Sequence, residues 1–345
     1  MNAPMPTSQT MALDFSAEDW DRAVPFADGC WVIANRHCPA LNRAVELNNR
    51  IFAFRLVEPD GSPVLLILGC ADEKSIQAVQ RLQVETGLDV KWVVGNGGAH
   101  HLFLELWYEA FPNARVLVPA KRIPFTRNGR RLQEKYADRW ELMHGPKPAQ
   151  LVEAFGDQLD VVIFDQLFSY SDETSAACYH GEACDHRSKR LDMGGFSLMK
   201  AMGKAMKDQS QPNDEVTFFH RATGLVVGGH NFQFVYAPKG FRPEPRHKLK
   251  AGGFPMNLMM KMMMPAGKFV SAMESMPCPI ADPAVHAAEW EAVLEWDIRA
   301  WTTAHNPVTV VGPPLSGREL KAAIRASLAR TGEDDPSGAR LKIKR

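Results

Sequence analysis

The chain lacks any run of about eighteen consecutive apolar residues, the length a helix needs to cross a bilayer, so no membrane-spanning helix is expected. It has no excess charge of either sign. There are 40 lysines and arginines against 40 aspartates and glutamates, a formal net charge of zero at pH 7. That balance favours neither nucleic acid nor an anionic membrane as partner, and it leaves little electrostatic protection against self-association. Cysteine is scarce: six in 345 residues, scattered at Cys30, Cys38, Cys70, Cys178, Cys184 and Cys278. Such usage suits a reduced, cytoplasmic protein and excludes a disulfide framework. The first ten residues have no basic stretch followed by an apolar one, so they do not read as a signal peptide. No G-x-S-x-G nucleophile elbow occurs. The GNGG at 95–98 lacks both the G-x-G-x-x-G pattern and a Walker lysine, which argues against a phosphate loop there.

What is present is enough apolar material, 45% of residues, for a sizeable core. Residues 29–35 (GCWVIAN) and 50–57 (RIFAFRLV) carry β-formers, and EPDGSP at 58–63 is a turn. VLLIL at 64–68 is a continuous apolar run, as expected of a strand buried on both faces. From Asp72, a candidate helix cap, the apolar spacing Ile76, Val79, Leu82 and Val84 predicts a helix that Gly87 ends. Strand 89–94, a helix over 100–111 and strand 114–118 follow, a β-α-β-α-β succession of layered α/β type. A further strand over 159–165 precedes a polar, insertion-like stretch, and 215–220 with 224–228 reads as a hairpin. Helices are expected over 287–302 and 320–330. The chain divides into a flexible segment (1–24), one domain (25–330) carrying an insertion (166–214) and a Met-rich segment (240–285), and a polar tail (331–345).

Three passages then stand out. The first is VVGNGGAHHL at 93–102, followed by FPNARVLV at 111–118. The second pairs EVTFFH at 215–220 with GLVVGGH at 224–230, and the third is TAHNP at 303–307. Their order and spacing resemble the metallo-β-lactamase superfamily, and most nearly its divergent DUF4336-type branch. The resemblance covers roughly residues 25–330 outside the insertion and the Met-rich segment. It implies an α/β fold of the metallo-β-lactamase-like αββα sandwich type.

The resemblance also implies a chemistry and shows where this chain departs from it. The superfamily binds two metals through a His-x-His-x-Asp-His loop, where close cations lower the pKa of a bridging water and clamp an oxyanion. This chain has Asn96, Gly98, His100 and His101 at those positions, and Gly229 where a bridging Asp is usual, with His230 beside it. His305 is retained in the late turn. The implied reading is a rearranged site with His100, His101 and His305 as metal ligands and His230 as a further ligand or proton shuttle. Zinc suits such donors, and iron or manganese would also be held. The implied function is hydrolysis of a small, rather apolar ester, lactone, amide or activated ether by a metal-bound hydroxide. The alternative is a metal-free scaffold or regulatory subunit of the same fold, its histidines ordinary loop residues. A third reading is a metal-dependent oxidoreductase.

Other constellations remain open between two readings. CYHGEACDH at 178–186 would hold a structural zinc, or is a polar loop over the active-site mouth. The methionines from Met256 to Met276 would form an adaptable pocket wall or a homo- or hetero-oligomer interface, or a helix packed on the core. Asp165 ends a strand, where α/β enzymes tend to place functional groups.

Overall fold

Alternate residues of the same strands face opposite ways, and here both faces are apolar. In β2 (Cys30–His37), Cys30, Val32 and Ala34 join one buried cluster while Ile33 joins another. In β3 (Leu47–Val57), Phe52, Phe54 and Leu56 separate in the same way from Ile51 and Ala53. In β4 (Pro63–Leu68), Val64, Leu66 and Leu68 separate from Leu65 and Ile67. Such strands are stable only when covered on both sides. The computed structural model describes residues 21–37, 47–69, 73–95, 97, 104–121, 123–125, 127–169, 211–228, 271, 280–304 and 317–341.

Two sheets meet these demands. The first has seven strands in the order β1-β2-β3-β4-β5-β6-β7, adding β1 (Val24–Ala27), β5 (Val90–Val94), β6 (Arg115–Pro119) and β7 (Trp140–Met143). Its first four strands pair antiparallel, and β4 to β7 run parallel. The second has the order β11-β10-β9-β8, from β8 (Leu159–Ser169), β9 (Gln211–His220), β10 (Leu225–Gly228) and β11 (Ala300–Thr303). There β8, β9 and β10 are antiparallel neighbours, and β11 lies parallel to β10.

The inner apolar cluster lies between the sheets. It joins Phe52, Phe54, Trp92 and Leu117 of the first sheet to Val161, Ile163, Val216, Phe218, Val227 and Ala300 of the second. The outer face of the first sheet is covered by α1 (Glu73–Thr86), α2 (Leu104–Ala110) and α3 (Arg127–Lys135), through Val79, Leu82, Trp107, Tyr108 and Leu132. The outer face of the second is covered by α5 (Pro283–Glu295) and α6 (Gly317–Thr331), through Trp290, Val293, Leu294, Leu320, Ile324 and Leu328. Between α3 and α5 in the chain, α4 (Ala149–Phe155) plugs the gap between the sheets with Leu151 and Phe155. The layer order is therefore αββα, as expected from the sequence.

Several local expectations change. The stretch 287–302 divides: α5 ends at Glu295, and Ala300–Thr303 is a strand whose Trp301 packs beneath the helix layer. The start of α5 is set by Asp282, whose carboxylate accepts the amides of Ala284 and Val285 at 2.9 and 3.1 Å ahead of Pro283 at the first turn. Val84, read as a core contact of α1, is 84% exposed. The strand expected to end at Asp165 runs on to Ser169, and its partner begins at Gln211. Asp72 lies outside the described residues.

The polar stretch after α6 returns to the sandwich, where Glu333 is buried. One carboxylate oxygen lies 3.1 Å from His286 Nε2, and the other accepts the hydroxyls of Ser271 and Thr331. On the other side of the imidazole, Nδ1 stands 3.6 Å from Glu289, an ion-pair distance. Burial alone would drive a proton off His286. The two flanking carboxylates more than reverse that and raise its pKa to about 9. Burial pushes the Glu289 carboxyl up as well. His220, at the far end of β9 beside Cys30 (3.3 Å), has only burial acting on it and is lowered to about 4.

A raised native pKa stabilises the fold fully below the unfolded value of 6.5, and that stabilisation is lost as pH rises through about 9. His220 acts in the opposite sense and only below that window. Urea denaturation between pH 6.5 and 9 should show stability falling by up to about 1.4 kcal/mol per pH unit. The H286Q variant should lose most of this slope, and an equal slope in both proteins would refute the assignment.

Candidate functional site

The parallel strands of the first sheet, and β10 with β11 of the second, end on one side of the sandwich. Chain termini of parallel strands are where α/β proteins place chemistry. Three of these ends lead directly into the histidine-bearing segments. From β5, Gly95 leads towards His100 and His101; from β10, Gly228 leads towards His230; from β11, Ala304 leads to His305. Gly228 and Thr303 are register partners, so two of the stems are neighbours. The histidines themselves lie outside the described residues, as do Asn96, Gly98, Gly229, the 178–186 cluster and the methionines of 256–264.

The third stem is tied to the other two across the sheets. Gly97 forms an antiparallel bridge with Glu215 of β9, beyond the last residues that pair with β10. A Cβ there would lie 2.6 Å from the carboxyl carbon of Glu215, so any larger residue would have to displace that side chain. The entry to the 96–103 segment is pinned by the Gly95 amide donating to the Leu117 carbonyl at 2.9 Å. Its exit is pinned by the Trp107 indole of α2 donating to the Gly69 carbonyl at 3.2 Å.

Charge gathers at this end although the surroundings are apolar. Glu215 and Arg50 are both wholly buried. The Arg50 amide donates to the Ala304 carbonyl at 3.0 Å, and its guanidinium to the Thr303 carbonyl at 3.4 Å. The His305 stem is thereby held to β3 by a single residue. Lys121, just past β6, spans the sheets as well. Its amide donates to Asp214 at 2.6 Å, and its ammonium pairs with Asp165 at 2.8 Å. The amide of Gln166 also donates to Asp165. The Asp165 amide in turn donates to Glu289 at 3.4 Å, which connects this end to the buried His286 group.

Asp165, singled out in the sequence, thus sits at this end as the partner of Lys121. Asp214, Glu215, Arg50 and Lys121 carried no role in the sequence reading. Two of them have a signal. Arg50 opens an apolar stretch flush against a doubly buried strand, and Glu215 opens EVTFFH, where an ionised group has apolar neighbours on both sides. Buried charges are retained only when paired or hydrogen-bonded, so such positions mark candidates. Lys121 has no such signal, because its partners come from β8 and β9, far along the chain.

Among the described residues, no three His, Cys, Asp or Glu side chains are grouped to hold a metal ion. Of the histidines whose side chains are described, His144 is exposed at the end of edge strand β7, His220 lies at the far end of β9, and His286 is in the helix layer. Among the described residues, no helix is long and apolar enough to cross a membrane.

No protein-family model matches the chain, and no curated protein matches it. Solved structures do, at low identity. Fragment 1–254 of a diflavin flavoprotein A 5 from Nostoc sp. PCC 7120 is 10% identical, with 92% of this chain and 96% of that one covered and a TM-score of 0.43. The metallo-β-lactamase FIM-1 from Pseudomonas aeruginosa, in its mono-zinc form, is 12% identical over 90% and 98% of the two chains, with a TM-score of 0.41. A metallo-β-lactamase from Pontibacter korlensis is 8% identical over 88% and 98%, with a TM-score of 0.39. These are proteins of the metallo-β-lactamase fold, and no residue role is carried over from them.

The Gly97–Glu215 contact is open to a double-mutant cycle. G97A should destabilise the protein by about 1–3 kcal/mol through overpacking. Most of that cost should vanish in an E215A background, because the colliding carboxylate is gone. Strictly additive urea-denaturation energies would show that the two residues do not meet.

Proposed function

We propose that the chain is a hydrolase-like enzyme of the metallo-β-lactamase fold, from a divergent, DUF4336-like branch with a reduced metal motif. The convergence of three histidine-bearing stems on one charged, cross-tied end of the sandwich carries this reading. The ligands in this reading are the histidines that the resemblance implies, His100, His101 and His305, while Asp165 and Asp214 are both engaged by Lys121. Imidazoles with carboxylates nearby form a donor set suited to Zn2+, and also to iron or manganese. A bound metal would supply Lewis acidity and a water of lowered pKa.

The chain's own residues have separable tasks in this reading. Glu215 and Gly97 fix the stem before His100 and His101. Arg50 fixes the stem before His305. His230 serves as a further ligand or moves a proton to the leaving group. The substrate is a small, rather apolar ester, lactone, amide or activated ether, and the Met-rich segment gives the pocket an adaptable apolar wall or an oligomer interface. The site of action is the cytoplasm.

A second reading rests on the sequence: Asn96, Gly98 and Gly229 stand where the superfamily usually has metal ligands. On that reading the chain is a scaffold or regulatory subunit of the same fold. Metal analysis of protein purified without added metal separates the two. The enzyme reading expects about one equivalent, with metal and hydrolysis of small chromogenic esters or lactones lost together in H305A. Absence of metal and indifference to chelator would sink it. Stable co-purification of that metal-free protein with another chain would favour the scaffold.

A further inference from the structure

The electrostatics of α6 point to a binding site at the other end of β11. An open surface cavity, a depression of about 610 Å³, lies where Asp297, Ile298 and Arg299 lead into that strand and meet the first turns of α6. Four cations line it, Arg299, Arg318, Lys321 and Arg325, against one carboxylate, Asp297. Two of the four are already matched. Arg299 donates to Asp297 at 3.0 and 3.2 Å, and Arg325 makes a two-point contact with Glu291 at 2.8 and 3.1 Å. Arg318 and Lys321 have no ion pair or side-chain hydrogen bond among the described residues. The cavity therefore carries about two uncompensated positive charges in a chain whose formal net charge is zero.

The walls are rigid. The Arg299 amide donates to the Gly224 carbonyl at 2.8 Å, which holds the Arg299 backbone against the β9–β10 turn. Gly317 lies so close to Ile298 that any Cβ would collide with the Ile298 carbonyl. The helix and the strand entrance are thus held at a fixed separation. Along α6, the unmatched residues 318 and 321 are three apart, which places two like charges on one helical face, where they repel. That repulsion is a standing cost which a bound anion removes. Arginine forks and a lysine ammonium are the donors that phosphoryl oxygens accept from.

We infer that this cavity binds a small phosphorylated molecule, its phosphoryl group on Arg318 and Lys321, with Arg299 and Arg325 as flanking donors. A small ligand is favoured over a polyanion or a membrane surface because the basic residues line a concavity of ligand size and the whole chain has no net positive charge. The site is separate from the histidine-bearing end, which lies past the opposite terminus of β11.

Calorimetric titration of the full chain with inorganic pyrophosphate at low salt tests this. The expected result is saturable binding of about one equivalent. The R318Q/K321Q double variant should weaken it about tenfold or more, and K321Q alone should weaken it by less. Both residues are on the surface, so the thermal midpoint should hold, and K321Q serves if the double variant does not fold. K147Q, which removes one exposed positive charge elsewhere, should leave binding unchanged. The inference is overturned if binding does not saturate, if R318Q/K321Q binds as the parent does, or if K147Q weakens binding as much.

Discussion

The whole arrangement depends on one constraint, the burial of both faces of both sheets. A strand with apolar side chains on each side needs a partner layer on each side. The inner faces satisfy one another, and the outer faces require α1, α2 and α3 on one sheet and α5 and α6 on the other. Among the described residues, burial of this extent leaves no solvated sheet face on which a ligand could settle. Chemistry is confined to the ends of the strands, where the backbone must leave the sheets and polar groups can reach water.

The two ends of the sandwich are then unequal for a physical reason. At the hairpin end, His220 is driven neutral by burial, and Cys30 is pushed well above the usual thiol range, first by burial and then by Asp28. At neutral pH the imidazole is therefore uncharged and the thiol keeps its proton. At the other end, polar contacts tie the sheets together: Lys121, itself exposed, reaches Asp165 with its ammonium and Asp214 with its backbone amide, and buried Arg50 reaches the carbonyls of Thr303 and Ala304. Glu215 crosses by its backbone bridge to Gly97 and packs its carboxylate on that glycine. These residues act as cross-bolts, and the segments they hold are those that carry His100, His101, His230 and His305.

Much of the layering was legible in the sequence, because doubly buried strands write themselves as runs such as VLLIL at 64–68. The reading failed where strand and helix share a vocabulary. Residues 287–302 are rich in Ala and Trp throughout, and nothing in their spacing marks the change at Glu295 from a helix to a four-residue strand. Tertiary context decides it, since β10 offers a free parallel edge there. The cross-bolts were hidden for another reason. Asp165 and Asp214 flank the long 170–210 segment, and their common partner Lys121 precedes both by more than forty residues, so no local pattern joins them. The histidines read from the sequence were placed by their motifs alone, and their stems, not their imidazoles, lie among the described residues.

The same strand also links the two functional readings. β11 is only four residues long, with Arg299 at one end and Ala304, the acceptor from Arg50, at the other. Its Trp301 is packed against Trp290 of α5, and its partner β10 fixes its register throughout. A strand so short and so well packed has no slack with which to absorb a displacement. Packed cores tend to shift as units and do not deform continuously. The two ends are thus joined by a single buried strand, and its rigidity follows from the burial that organises the fold.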